Sequence, residues 1–383
     1  MRLTITIKKH SWKEIICGAF FVFCFIPFLF PNPIVKTNIQ PYASIIGTLI
    51  VLLYFSNAWQ FIYVRNTFMI LSMVFVVSII VMFFSGISID AIRGVYNYFA
   101  LFIIPCATIG ALESSQEFPE KLCKMMILLW FAVSSIQFFV YRGFGTGLIS
   151  GVRWSYQYRG VVGLASEPSF FGIVCFYFLH ITKYFKKRKA LYTILVLVMG
   201  VVYAQSTTGI IFIAGYLAVY LFDIINSRRG LFICGASVIV LAVFVFYLET
   251  RLADSRLSQM INAFLSGGVD GILEDGSALV RFNAIGRALQ TALSNGLMPC
   301  GFGARIGSAY GGLLVELGFF AIPAILLISW GMSLTFYKKR SRIVYFIVVT
   351  LLLLNNTQIG NPMLLMTVGM NLYFGSVNRK GLQ

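Results

Sequence analysis

Charge is scarce in this chain. Of its 383 residues 11% are Asp, Glu, Lys or Arg, and only 13 are acidic. A soluble domain carries about a quarter charged residues, so water is excluded as the solvent around most of this sequence. Histidine is nearly absent: His10 and His180 stand far apart, and the seven cysteines at 17, 24, 106, 123, 175, 234 and 300 contain no CxxC. Neither a structural zinc site nor a disulfide framework is expected, and the metal and cofactor expectation is none. There is no DxD motif, no Gly-rich phosphate loop after a strand and no soluble domain on the lysine-rich side, which argues against a cytoplasmic nucleotide-sugar transferase. Internal repeats and low-complexity tracts are missing as well. No small-residue cleavage site follows the first apolar run, only Pro31, Asn32 and Pro33, so that run reads as a retained span.

What is present is apolar sequence, 59% of the chain. It falls in stretches of about 15 to 22 residues, the length that crosses a hydrocarbon core of about 30 Å as helix. Helices satisfy their own backbone polar groups there. The expected fold is an all-α polytopic membrane protein of about twelve transmembrane helices. The expected spans are 14 to 30, 42 to 58, 67 to 86, 93 to 112, 122 to 141, 166 to 184, 190 to 204, 209 to 222, 230 to 248, 311 to 333, 343 to 356 and 362 to 376. Residues 1–248 would hold the first nine spans, 249–310 one long outer, periplasmic loop, and 311–383 the last three. Within the loop, Ser255 to Phe264 and Ala278 to Leu293 have helical apolar spacing, whereas Ser294 to Gly312 is Gly-rich and reads as irregular. Gln205 to Gly209 interrupts a long apolar run, leaving either two short helices or one kinked helix.

Lysine distribution favours two. With the first terminus inside, twelve of the thirteen lysines fall in cytoplasmic segments, and merging 190 to 222 would spoil this sorting. Both termini are then cytoplasmic. The formal charge of +17 needs no nucleic acid partner, because the inner lysines follow from topology.

Arginine behaves differently, since nine of seventeen fall outside: Arg93, Arg142, Arg153, Arg159, Arg251, Arg256, Arg281, Arg287 and Arg305. Arg is preferred over Lys where phosphate oxygens are gripped by two parallel N–H bonds, so the set points to an anionic, phosphate-bearing ligand on the outer face. Pairing with Asp254, Asp270, Glu274, Asp275 or lipid headgroups is the alternative for any one of them. The motif Arg159 to Ser169 puts Glu167 at the outer boundary, with Pro168 suited to a first helical turn and Ser166 to its cap. Later come Pro299-Cys300-Gly301-Phe302-Gly303-Ala304-Arg305 and Tyr310 to Gly318, with Glu316 inside an apolar run.

The ordered set Arg159...Glu167-Pro168, Ser206-Thr207-Thr208-Gly209, a long outer loop, Gly301-Phe302-Gly303 and Tyr310...Glu316-Leu317-Gly318 resembles the Wzy-type O-antigen polymerases. These belong to the O-antigen polymerase and ligase superfamily of membrane glycosyltransferases, and the likeness covers most of the chain. The related ligases carry a His-Asn pair where this chain has Gly307 and Ser308, which disfavours ligase activity. The resemblance implies a GT-C-like fold in a bacterial inner membrane, acting in lipopolysaccharide biosynthesis. Its partners would be undecaprenyl pyrophosphate-linked oligosaccharides, membrane lipids and a chain-length regulator protein. Arg159, Arg281, Arg287 and Arg305 would then hold pyrophosphate, and Glu167, or second Asp254, would take the proton of the incoming hydroxyl. Tyr310 would stack on sugar, and Gly301 and Gly303 would let the backbone approach phosphate. Glu316 and Arg93 would be structural or auxiliary. A flippase or other transporter of the same lipid-linked glycan is the competing expectation.

Overall fold

The computed structural model describes residues 12–29, 39–59, 62–115, 118–149, 151–152, 160–224, 262, 266–268, 276–302, 308–354 and 358–380. Among these every regular element is helical, apart from one antiparallel bridge between Leu29 and Ile149. In chain order the α-helices are α1 (Trp12–Phe25), α2 (Tyr42–Ala58), α3 (Ile62–Ser85), α4 (Ile89–Ser115), α5 (Glu120–Phe139), α6 (Pro168–Thr182), α7 (Lys189–Leu197), α8 (Thr207–Ile224), α9 (Gly276–Ser294), α10 (Ala309–Leu317), α11 (Ile322–Ser333), α12 (Lys339–Leu353) and α13 (Pro362–Lys380). Proline sits just before or at the start of α2, α5, α6 and α13, where a missing N–H costs nothing. A π-helical turn, Val198–Tyr203, continues α7, and a 3-10 turn, Gly318–Ala321, joins α10 to α11.

Val64–Ser85, Ile89–Ser115, Glu120–Phe139 and Ala309–Ser333 are each long and apolar enough to cross a membrane, and shorter apolar helices accompany them. Burial shows what solvent they meet. On α3 one face, with Val64, Leu71, Val74 and Val81, is buried, and the other presents Met69, Met73, Val76, Ile80, Phe83 and Phe84 outward. A helix apolar on both faces suits lipid rather than water. The chain is therefore an all-α, membrane-associated protein.

Contact registers give the helix directions. Phe23 meets Tyr42, and Lys13 lies over Tyr54, so α1 and α2 are antiparallel. Pro41 accepts from Tyr96, while Phe55 faces Gly110, so α2 and α4 are parallel. Cys175 packs at Gly200 and Thr193 bonds Thr182, making α6 and α7 antiparallel. Gly172 meets Gly209, Phe176 meets Phe212 and His180 meets Tyr216, making α6 and α8 parallel. Hence α7 and α8 run in opposite directions, and Gln205 to Gly209 separates two helices rather than kinking one. Gln205, with φ 43, makes the break.

Lipid is as apolar as Leu, so helix pairing here depends on close backbone approach rather than on the hydrophobic effect. A methyl group on Gly172 would stand 2.6 Å from the Gly209 Cα. We expect Gly209→Val to cost at least about 1 to 3 kcal/mol by overpacking. Fluorescence-detected size-exclusion chromatography should show loss of the monodisperse peak, and an unchanged peak and melting temperature would refute this.

Element boundaries depart from expectation at three places. α1 stops at Phe25 because Pro27 follows, and the expected single span 311 to 333 is α10 and α11 bent at Gly318, whose φ is 58. Helix resumes at Ala309, inside the segment read as irregular, because Ser308 caps it by accepting from the Gly311 N–H at 3.1 Å. The expected loop helix 278 to 293 matches α9, which lays Ala288 and Ala292 against Val315. The expected span 230 to 248, and most of the helix expected over 255 to 264, lie outside the described residues.

Candidate functional site

Every lysine with a described side chain stands at one end of the bundle, where Glu120 pairs with Lys124 at 2.5 Å and Asp223 with Lys338 at 3.4 Å. The opposite end gathers the sequence motifs. Residues 160–167 lead into α6 there and are held from two sides. Gly160 lies directly on the Ala204 carbonyl with no room for a side chain, and the Val161 N–H donates to the Tyr203 carbonyl at 2.8 Å. Buried Gln137 of α5 clasps Gly163: its Nε2 donates to the Gly163 carbonyl at 2.8 Å, and its Oε1 accepts from the Gly163 N–H at 2.7 Å. Gly163 has φ +58, a conformation a side chain would strain.

Glu167 ends this loop. It is the N-cap residue of α6 in extended conformation, half-buried, and its carboxylate accepts from the Ser169 hydroxyl rather than from a backbone N–H. This corrects the expected capping by Ser166, whose buried hydroxyl has no hydrogen-bond partner among the described residues. The chain enters α6 too extended at Glu167 for the preceding side chain to reach back over the first turn. Glu167 thus keeps a carboxylate oriented by Ser169 at the positive end of a helix, where its charge is favoured.

The second cluster forms where residues 297–302 return along α10. The Cys300 N–H donates to the Val315 carbonyl at 2.9 Å, and Phe319 N–H to the Leu297 carbonyl at 2.8 Å. Gly301, with φ +76, turns against Ser85, so one side of it is occupied by the protein's own chain. Phe302 fills the space above Gly94 and meets the Tyr98 ring edge-on at 6.1 Å. The Tyr98 hydroxyl, from α4, donates to Glu316 at 2.7 Å. An ionisable group in an apolar run is costly unless paired, and this tyrosine offsets part of that cost.

Tyr310 departs from expectation. It is fully buried, with its hydroxyl 2.9 Å from that of Ser329, so it packs between α10 and α11 and offers no ring face to a sugar. Arg93 is ion-paired with Asp90 at 3.4 Å. Arg287 is exposed on α9, on the side away from Ala284, Ala288 and Ala292. Arg281 also lies on α9, its side chain outside the described residues, as are Arg159, Asp254, Gly303 and Arg305. Glu167 thus stands at the start of α6, whereas Gly301 and Glu316 lie against the end of α3 and the first turns of α4. Two site residues were missed in the sequence, Gln137 and Tyr98. Gln137 left one sign, a lone amide inside an apolar run, whereas Tyr98 is one tyrosine among nineteen.

No group of three or more His, Cys, Asp or Glu side chains with metal-holding geometry occurs among the described residues. No family model matches the chain, and no curated protein matches it.

Proposed function

We propose that this chain is a polysaccharide repeat-unit polymerase of the O-antigen type, spanning a bacterial inner membrane about twelve times, with the Glu167 end on the periplasmic face. The observation that carries the reading is that motif segments distant in sequence lie at helix ends away from the described lysines: the clamped loop ending in Glu167 beside the α8 start at Gly209, and Gly301 with Phe302 against α3 and α4. Parity also supports it, because α8 and α11 end on the same side, where Asp223 pairs with Lys338, as twelve alternating spans require.

In this reading an acceptor sugar hydroxyl forms a bond to the anomeric carbon of the donor chain as the bond from that carbon to the pyrophosphate oxygen breaks. The electron pair leaves on the undecaprenyl pyrophosphate. Glu167 takes the hydroxyl proton, since an alcohol is a poor nucleophile near neutral pH. Arg159, Arg281, Arg287 and Arg305 stabilise the departing charge with fixed guanidinium donors. Asp254 is the alternative base, and a chain-length regulator the expected protein partner.

Purified protein in detergent should lengthen lipid-linked repeat units, giving a ladder on gels. Transport has no meaning without a sealed membrane, so absence of a ladder from folded protein, together with glycan movement in liposomes, would establish a transporter instead. For topology, a cysteine placed at Ser277, with Cys300 changed to Ala, should react with an impermeant maleimide in intact spheroplasts, whereas one at Lys186 should not. The reverse pattern would invert the bundle.

A further inference from the structure

We propose that Gln137 is the positioning residue of this site: its buried amide sets the pose of residues 160–167 and, through them, of the Glu167 carboxylate. The role in catalysis rests on the polymerase reading above, whereas the clamp rests on geometry alone. Gln137 is 1% exposed. Its Nε2 donates at 2.8 Å both to the Gly163 carbonyl and to the Phe144 carbonyl, and its Oε1 accepts from Gly163 N–H at 2.7 Å. One side chain on α5 therefore ties together the segment that leaves α5 and the one that enters α6.

The chemistry selects glutamine narrowly. Two carbonyls and one N–H need two donors and one acceptor from a single planar group, which an amide supplies. A carboxylate would turn acceptor against acceptor at both carbonyls, and asparagine is one methylene too short to span the pair. On its other side the same loop bonds Tyr203 at the end of a π-helical turn, a feature found often at functional sites. Two rigid helices thus hold a loop that has no regular structure of its own, and Glu167 follows Gly163 by four residues. Loops supported in this way keep a reacting group within the tolerance that proximity catalysis demands.

The test uses full-length protein carrying Gln137→Met, which keeps the volume and removes all three hydrogen bonds. We expect a folded protein whose kcat for lipid-linked repeats falls about a hundredfold, the cost of misplacing a reacting group by about 1 Å. KM should stay within about threefold, because sugar and lipid contacts are untouched. Adding Gln137→Met to Glu167→Gln should lower the rate little below that of Glu167→Gln alone, since Gln137 acts through Glu167. A structural role alone would give additive losses.

An activity-independent arm places cysteine at Glu167, with Cys300 changed to Ala, and follows its reaction with impermeant maleimide. Its rate should change at least about tenfold when Gln137→Met is added, as expected for a loop released into other poses. Should Gln137→Met not fold, Gln137→Asn takes its place in both arms. Wild-type kcat or an unchanged labelling rate in a folded Gln137 variant would overturn the proposal. If wild-type protein does not polymerise but labelling changes as expected, the polymerase reading falls and the clamp stands.

Discussion

Glu167→Gln should reduce polymerisation by about a hundred- to ten-thousandfold, the usual contribution of a general base. The protein should remain folded, because the Glu167 side chain makes no cap to a backbone N–H, and the amide oxygen of Gln can still accept from Ser169. Volume and polarity are nearly conserved, so the lost quantity is the capacity to take a proton. Glu167→Asp should recover part of the rate, since the carboxylate is kept but withdrawn by one methylene. The measurement is initial rate per folded molecule, with monodispersity checked by size-exclusion chromatography. A wild-type ladder from Glu167→Gln would remove this carboxylate from the mechanism and transfer the question to Asp254.

Changing Arg159, Arg281, Arg287 or Arg305 to Ala should each cost about 2 to 5 kcal/mol if they grip pyrophosphate in a partly dehydrated cleft. If they act only on lipid headgroups, each should lose about 1 kcal/mol and behave like Lys36→Ala, the control. Lysine substitutions separate charge from geometry, since Lys keeps the charge but not the planar fork, and should restore activity only in part. Arg287, exposed on α9 and bonded weakly to the Asn283 carbonyl at 3.4 Å, is free to engage a ligand at low cost. Wild-type ladders from all four Ala variants would exclude the arginines and bring the transporter reading forward.

Helix positions were readable because an apolar run of span length is a local signal: α2 has the expected bounds, and the ends of α5 and α13 fall within four residues of theirs. Side-chain roles were less readable. Tyr310 looked like a sugar platform because aromatics at a membrane boundary can stack, but the bend at Gly318 folds α10 back so that the ring is enclosed. Glu316 stands out as a carboxylate inside an apolar run, but nothing local indicates a tyrosine 218 positions away as its partner.

By itself the sequence determined the solvent of this protein, the approximate places where its helices lie, and the separation of lysine-rich from lysine-poor ends. All three depend on composition within a window no longer than one span and its flanks. Only the tertiary structure decided that Gly172 and Gly209 touch, and that Gln137 holds Gly163 across 26 residues. Those facts depend on registers between helices distant in the chain. Among apolar helices in lipid many registers bury similar surface, and the choice falls to a few close glycine contacts and buried hydrogen bonds that no local pattern announces.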